Sequence, residues 1–417
     1  MRILLVAPWF PHPANNGAKL RIFHLLRALA TRHRVTLVAF SCTGEPPPPD
    51  IGPLQQWCER VHLQAGRVYQ ARQLSAIAGL LSPTPRSLAS TWDPGLARLV
   101  ARLSSAKPFD LAIAAQIGAA PYVARARATC RVLEEVELTI PHDAVARAPH
   151  ALARLRARLT LAKLRGYLRR AARRFDAFTT VSEPERALLG RWVDPRRVHV
   201  VPNGVDVAAA APFVDTPRDR HLLVYPGALT YAPNHEAVHG FVRDVLPAVR
   251  REVPAARLVV TGRHTGVDTT SLSADAGVTL TGHVPDVRPI VAGARACVVP
   301  LRTGGGTRLK VLEAMALGTP VVSTRKGVEG LDLAHDVHCL IADRPADLAR
   351  AVVGVLTDDT LWHRLRRVAL DHVQRRYDWA RIGTVYVNWL ESVAPQDAPH
   401  ACPASPAAAA AAAMEAI

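Results

Sequence analysis

The sequence has little cysteine and few aromatic residues, and each shortage argues against a class of protein. Its six cysteines form no C-x-x-C pair and no Cys/His spacing that suits zinc, so we expect reduced thiols and no metal site. Phe, Trp and Tyr make up 5% of the chain, and no DNA- or RNA-binding module is recognisable. A nucleic-acid-binding protein is therefore disfavoured, although it stays an alternative.

Long apolar runs and three familiar enzyme motifs are also missing. No run approaches the roughly 20 apolar residues of a membrane span, and residues 3–7 are too short for a signal-peptide core, which predicts a soluble, cytoplasmic protein. The lack of G-x-x-x-x-G-K-[ST] argues strongly against a P-loop NTPase. Leu309 stands where the third glycine of G-x-G-x-x-G belongs, which argues against an NAD-dependent oxidoreductase. No Asp-x-Asp pair follows a strand, so a metal-dependent transferase of the other common fold is disfavoured.

Acidic residues are outnumbered by basic ones. The chain has 35 Asp and Glu against 52 Lys and Arg, which gives a net charge of +17. Such a surface attracts phosphates, anionic lipids or nucleic acid. An arginine-rich genome produces the same excess, so the charge alone does not select one partner.

Short apolar segments alternate with helix-period segments along the chain, which predicts parallel sheets covered by helices on both faces. The stretch 201–213 divides about ten strands into two sets of five. We predict two doubly wound domains, 1–203 and 204–376, then a helix at 377–393 and a disordered Ala/Pro-rich tail at 394–417. The predicted strands are RILLVAP, VTLVAF, DLAIAA, RVLEEVE and FDAFTTVSE, then HLLVYPG, ARLVVTG, VTLTGHV, ACVVPL and PVVST.

Helix-capping signals support these elements. Ser182 followed by Glu185 predicts a capping box, Asn234 can cap the helix that follows it, and Thr307 can cap a helix that ends at Gly318. Ligands of open α/β sheets bind beyond the carboxyl ends of the strands. Two such domains facing each other would form a cleft, and we expect the site there.

The stretch GGGTRLKVLEAMALGTPVV, residues 304–322, carries the strongest chemical signal. Three glycines let a ligand touch the backbone, and Arg308 and Lys310 then oppose the positive end of a helix dipole. A phosphate or diphosphate between them would resolve this conflict. Glu313 lies on the same helix face and could accept hydrogen bonds from sugar hydroxyls. The alternative is a Lys310–Glu313 surface pair on a packing helix.

Residues 300–331, PLRTGGGTRLKVLEAMALGTPVVSTRKGVEGL, resemble the donor-binding segment of glycosyltransferase family 4. Further segments resemble that family in the same order: the first strand, glycine loop and helix, TTVSEPERALL, VVPNGVD, YPGALTYAPNHEAV, LVVTGRH, TGHVPDVRPIVAGARACVVPL and YDW. The resemblance implies a GT-B fold, with two Rossmann-like domains facing across a cleft. It also implies a nucleotide-diphosphate sugar as donor substrate, retention of anomeric configuration, and no metal or other cofactor.

The same resemblance implies roles for individual residues. Glu313 would hold the ribose hydroxyls, and Gly17 would approach the diphosphate from the N-terminal domain. The full set of implied donor-binding residues is Gly17, Arg263, Gly305, Gly306, Thr307 and Glu313. The family's first motif glutamate is replaced by Gly305, and the stretch GALTYAPN lacks the family's usual cations. We expect Arg308 and Lys310 to supply that charge as the catalytic residues, as in a branch of the family with GGGTR-K.

Acceptor-side residues are less defined. Gln116 follows DLAIAA where the family would suit a histidine, and Glu137 and His142 are further candidates. The segment 151–175 is rich in Arg and leucine and lacks acids, so it either docks on anionic lipid at the inner membrane face or forms a solvated helix face.

Together these features predict a metal-independent glycosyltransferase of polysaccharide biosynthesis. Its expected partners are a nucleotide-sugar donor and a glycan, lipid-linked sugar or other glycoconjugate as acceptor, and no nucleic acid. A sugar-nucleotide epimerase on the same fold and a basic nucleic-acid-binding protein are the alternatives.

Overall fold

The computed structural model describes residues 1–42, 51–66 and 82–394. The chain divides into two compact units. Unit 1 contains Met1–Pro202 and the segment that starts at Ala380, and unit 2 contains Asn203–Trp379. The predicted tail lies outside the described residues, apart from position 394. Among the described residues, no helix is long and apolar enough to cross a membrane.

Unit 1 is built on a parallel sheet of seven strands in the order β3-β2-β1-β4-β5-β6-β7. Strands such as β1 are apolar and buried along almost their whole length, as expected when helices cover both faces of a parallel sheet. The strands are β1 Arg2–Ala7, β2 Arg34–Cys42, β3 Cys58–Gly66, β4 Phe109–Ala115, β5 Ala128–Glu134, β6 Ala177–Thr180 and β7 Val198–Val200.

The described helices of unit 1 run over Gly17–Ala30, Gly52–Gln55, Arg86–Ser90, Pro94–Ala106, Gln116–Val123, Thr139–Ala146, Ala151–Ala171 and Glu183–Leu189, with a 3-10 turn at Pro195–Arg197. The helix Trp379–Val393 completes the unit after the chain has passed through unit 2. On this helix Tyr386 is buried, and Glu391 pairs with Arg32 at 3.2 Å.

Unit 2 repeats the architecture with six parallel strands in the order β10-β9-β8-β11-β12-β13. These are β8 Asp219–Pro226, β9 Arg257–Thr261, β10 Val278–Gly282, β11 Ala294–Val299, β12 Val321–Ser323 and β13 Leu340–Ile341. Its helices are Val207–Ala210, Ala232–Asp244, Leu246–Glu252, Thr270–Ser273, Arg288–Ala292, Leu309–Ala316, Pro345–Thr357 and Asp359–Arg376, with 3-10 turns at Ala211–Phe213 and Lys326–Val328.

The α/β class and all ten predicted strands are confirmed, whereas the capping predictions had mixed outcomes. Ser182 accepts from the Glu185 N–H and caps its helix, as predicted, but the Glu185 carboxylate accepts from the Leu138 and Thr139 N–H groups instead of closing the predicted capping box. The Asn234 prediction was wrong, because the helix already begins at Ala232. The Thr307 prediction was also wrong: the helix begins at Leu309 and has no side-chain cap.

Candidate functional site

A glycine loop connects β11 to the helix Leu309–Ala316, and Arg308 organises that loop. The Arg308 side chain is buried, and its guanidinium donates to the carbonyls of Gly304 and Gly306, each at 2.8 Å, and to that of Gly305. Hydrogen bonds from a charged donor are stronger than neutral ones, so these contacts fix the path of the loop. In the structure the guanidinium is therefore bound to loop carbonyls.

Lys310 projects from the first turn of this helix onto a polar and aromatic platform. Its Nζ lies 3.0 Å from Asn234 Oδ1 and 4.0 Å from the ring centroid of Tyr225. The Tyr225 hydroxyl donates to the same Oδ1 at 2.7 Å, and Asn234 Nδ2 donates to the Ala228 carbonyl at 2.8 Å. Asn234 is thereby held with its oxygen towards the ammonium.

Burial is the main reason that the pKa of Lys310 falls from 10.5 to about 7, and nearby Arg308 lowers it further. Neither the Asn234 oxygen nor the Tyr225 ring carries a full negative charge, and the Glu313 carboxylate offsets only part of that loss of hydration. An incoming anion would supply further negative charge. The Lys310 amine is thus poised to gain a proton, and to become an ammonium, when a phosphate binds.

Gly227 makes room for this ammonium. A Cβ at position 227 would lie 2.6 Å from Lys310 Nζ and 2.9 Å from Asn234 Nδ2. Contacts this short would force the lysine side chain to move. The glycine that follows β8 is therefore a requirement of the Lys310 position.

Glu313 lies one turn beyond Lys310 and is partly buried. Burial raises the pKa of its carboxyl, and the Lys310 charge only partly opposes this. No described residue donates a hydrogen bond to the carboxylate, and the Lys310 ammonium binds Asn234 instead of forming a surface pair with Glu313. The carboxylate can accept hydrogen bonds from two neighbouring hydroxyls.

The other predicted donor residues occupy several positions. Thr307 Oγ1 accepts from Asn203 Nδ2 at 2.9 Å, which ties the loop to the start of unit 2. Arg263 follows β9 with an exposed side chain, and its carbonyl accepts from the Leu229 N–H. Gly17 begins the helix Gly17–Ala30 of unit 1. The structure thus brings Thr307, Lys310 and Glu313 onto one loop and helix.

Tyr225 and Asn234 were missed as site residues. The stretch YPGALTYAPN has no cation, and its polar and aromatic groups hold the Lys310 ammonium instead. The absence of a cation from this stretch is the signal that could have found them, because a lysine from another segment can then take the place of the missing cation.

In unit 1, two of the residues predicted on the acceptor side, Gln116 and His142, contact different partners. Gln116 Nε2 donates to Glu135 Oε2 at 2.8 Å, whereas His142 stacks near the Trp192 ring. Glu137 is partly buried. Glu135, the residue that Gln116 contacts, was missed.

Each unit contains a doubly wound parallel sheet, and unit 2 also carries a glycine loop and a helix with a lysine and a glutamate. Together these features define the GT-B class of glycosyltransferase fold. Family models agree for each half of the chain. The model described as Glycosyltransferase Family 4 matches residues 15–209, and the one described as Glycosyl transferases group 1 matches residues 220–358. The chain belongs to glycosyltransferase family 4.

Curated relatives are similar over part of their length. The MMP alpha-(1->4)-mannosyltransferase of Mycolicibacterium hassiacum is 28% identical over 218 residues, which cover 50% of this chain and 51% of that protein. YtcC of Bacillus subtilis is 33% identical over 85 residues, 19% of this chain and 21% of YtcC. The chain thus spans about half the length of the first of these relatives and less of the second.

Solved structures show the same fold at low identity. Sucrose-phosphate synthase from Thermosynechococcus elongatus has a TM-score of 0.66 and 19% identity, with 94% of this chain and 98% of that chain covered. Anabaena Alr3699/HepE, solved in complex with UDP, has a TM-score of 0.64 and 16% identity, with 94% and 100% covered.

Proposed function

We propose that this protein transfers a sugar from a nucleotide-diphosphate sugar to an acceptor hydroxyl, with retention of configuration. The observation that carries the proposal is the Lys310 ammonium, held by Asn234 and Tyr225 with a lowered pKa on the helix that also carries Glu313. A diphosphate supplies the negative charge that this ammonium lacks, and the Glu313 carboxylate accepts from the ribose hydroxyls.

The chemistry follows from where charge develops. As the bond between the sugar and the diphosphate breaks, negative charge grows on the leaving phosphate oxygens. A fixed ammonium stabilises that charge more in this transition state than in the ground state, which lowers the barrier. Arg308 acts by holding the loop carbonyls, and through them the loop backbone that would face the diphosphate. Because Lys310 can supply this positive charge, we propose a reaction without a metal ion.

The first test is ligand-induced thermal stabilisation by UDP, GDP, ADP, dTDP and CMP, with NAD and a short oligonucleotide as controls. Ligand at a hundred times its dissociation constant adds about 2.7 kcal/mol of stability. We expect one nucleoside diphosphate to stabilise the protein, and Lys310→Met and Glu313→Gln to lose that effect. The matched control is Glu329→Gln, which removes an exposed carboxylate that pairs with the largely buried Lys326 side chain.

The second test is turnover with the donor sugar of the responding nucleotide. Transfer to a glycan or lipid-linked acceptor, insensitive to EDTA and with the anomeric configuration retained by NMR, is the expected result. Conversion of the donor sugar to its epimer without any acceptor would instead identify an epimerase. Stabilisation by NAD or the oligonucleotide alone would overturn the transferase proposal.

The helix Ala151–Ala171 supports a further part of this proposal, a peripheral contact with an anionic membrane. Three leucines in its amino-terminal half are exposed, Leu152 and Leu155 at 53% and Leu159 at 55%. The helix has no acid and seven cations: Arg154, Arg156, Arg158, Lys163, Arg165, Arg169 and Arg170. Each cation near an anionic surface contributes about 1 kcal/mol, and the leucines can enter the interface.

Vesicle co-sedimentation tests the membrane contact. We expect binding to vesicles that contain phosphatidylserine and none to pure phosphatidylcholine. Leu155→Asp with Leu159→Asp should abolish binding, whereas Val337→Asp, at an exposed apolar position of unit 2, should not. Equal sedimentation of all three proteins would show that the leucines take no part.

A further inference from the structure

Three neighbouring strands of unit 1 each deliver one side chain to the same edge of the sheet. In the strand order β1-β4-β5, Trp9 lies two residues beyond β1, Gln116 directly follows β4 and Glu135 directly follows β5. Trp9 Nε1 donates to Gln116 Oε1 at 3.2 Å, and Gln116 Nε2 donates to Glu135 Oε2 at 2.8 Å. The carboxyl edge of a doubly wound sheet is where such folds bind ligands.

Two of these residues have strained backbones. Gln116 has φ 63° and Glu135 has φ 55°, and only one other non-glycine residue in the described ranges, Asp336, has a positive φ. This conformation is unfavourable for residues with a Cβ, and it persists where the surrounding structure enforces it, typically at functional sites. The two residues with this strained backbone are also the two whose side chains form the Gln116–Glu135 hydrogen bond.

Buried contacts behind Glu135 enforce its position. The Glu135 N–H donates to Thr179 Oγ1 at 2.9 Å, and that hydroxyl donates to Glu134 Oε1 at 3.1 Å. Glu134 in turn pairs with the fully buried Arg21. This network fixes the Glu135 backbone, while its side chain stays partly exposed.

The exposed groups have the character of a sugar-binding surface. The Trp9 side chain is 40% exposed, and no described residue donates to Glu135 Oε1. An indole offers a flat apolar face to the C–H face of a pyranose, and a carboxylate accepts from hydroxyls. Burial raises the pKa of Glu135 to about 7, and the Glu134 and Glu137 carboxylates add to this effect while Arg21 opposes it. Carboxylates so placed disfavour an anionic ligand.

We propose that Trp9, Gln116 and Glu135 form an acceptor subsite for an uncharged sugar ring. The indole packs against the ring, Gln116 positions the carboxyl group, and Glu135 Oε1 accepts a hydrogen bond from a ring hydroxyl. The subsite rests on the proposed transferase function for its role as the acceptor site, but sugar binding can be measured without turnover.

Saturation-transfer-difference NMR tests the subsite with methyl α-glucoside, α-mannoside, α-galactoside and N-acetyl-α-glucosaminide as probes. We expect the wild-type protein to give a signal with at least one glycoside, and Glu135→Gln and Trp9→Ala to lose at least tenfold in affinity for it. Glu183→Gln, at a well exposed carboxylate of unit 1, is the matched control and should bind as the wild type does. Glu135→Gln keeps an oxygen that can accept from Gln116, and Trp9 is exposed, so both variants should fold.

Nucleotide binding separates failure of the subsite from failure of the proposed function. Glycosides that bind no protein, or that bind both variants as well as the wild type, would overturn the subsite even if a nucleoside diphosphate still binds. Glycoside binding that the variants lose, in a protein that no nucleoside diphosphate stabilises, would support the subsite and overturn the transferase. With an active donor, both variants should raise the acceptor KM at least tenfold and leave donor affinity within twofold.

Discussion

Lys310 should take up a proton when a nucleoside diphosphate binds. With a pKa of about 7, its amino group is only about 10% protonated at pH 8. A neighbouring diphosphate that raises this pKa by about 2 units would bring protonation to about 90%, an uptake of about 0.8 proton per site. Such a rise means that the diphosphate binds the ammonium form of Lys310 about 3 kcal/mol, or roughly a hundredfold, more tightly than the neutral amine form.

Isothermal titration calorimetry at pH 8 in Tris and in HEPES measures this uptake, because the two buffers release protons with different enthalpies. We expect the apparent binding enthalpy to differ between buffers for the wild-type protein. For Lys310→Met, which cannot be protonated, the difference should vanish. The affinity at pH 8 should fall by about tenfold, because only about a tenth of the free protein carries the ammonium that binds roughly a hundredfold more tightly. A wild-type enthalpy independent of buffer, with affinity unchanged in Lys310→Met, would refute the placement of the diphosphate at this ammonium.

The pH dependence of stability in the ligand-free protein gives an independent test of the lowered Lys310 pKa. An unfolded lysine holds its proton up to pH 10.5, whereas the native one loses it above about pH 7. Native stability should therefore fall as the pH is lowered from about 10 to 7 and level off below, with a total change of at most about 5 kcal/mol. Urea denaturation of Lys310→Met should show that the free energy of unfolding changes less with pH across this range and that the variant is more stable than the wild type at pH 7.

Three further variants test the contacts around the two sites. Gly227→Ala should displace the Lys310 ammonium and weaken nucleotide binding at least tenfold by calorimetry, whereas Gly240→Ala, with open space around it, should bind normally. Arg308→Lys keeps the charge but not the fork that reaches the loop carbonyls, so hydrogen exchange at 304–307 should rise and nucleotide affinity should fall. Arg21→Met should lower urea stability by about 3–5 kcal/mol, and adding Glu134→Leu should recover part of that loss.

The strands that the sequence predicted are those whose apolar runs reflect burial on both faces. β1 and β11 are buried throughout or nearly so, and their residues alone are enough to recognise them. β3 was missed because it lies at the sheet edge and carries Glu59, Arg60 and other polar residues. β13 has two residues, which is too short for any periodic pattern.

How much of the site the sequence could predict depends on how far apart along the chain its residues lie. Lys310 and Glu313 were recognisable because a cation and a lone acid in one short helix conflict with simple packing. The platform under Lys310 was not, since Asn234 is 76 residues away and asparagine before a helical segment is also a good cap. Glu135 gave no signal either, because a positive φ at glutamate comes from its tertiary contacts with Gln116 and Thr179.

The return of the chain to unit 1 has a consequence for synthesis on the ribosome. Domains usually fold in the order in which they are made. Here unit 2 is complete once Trp379 has emerged, whereas unit 1 still lacks the helix that carries Tyr386 and the partner of Arg32. The first half of the chain to be translated is therefore the last to be finished, and nascent chains stalled before residue 380 should expose the surface that this helix covers.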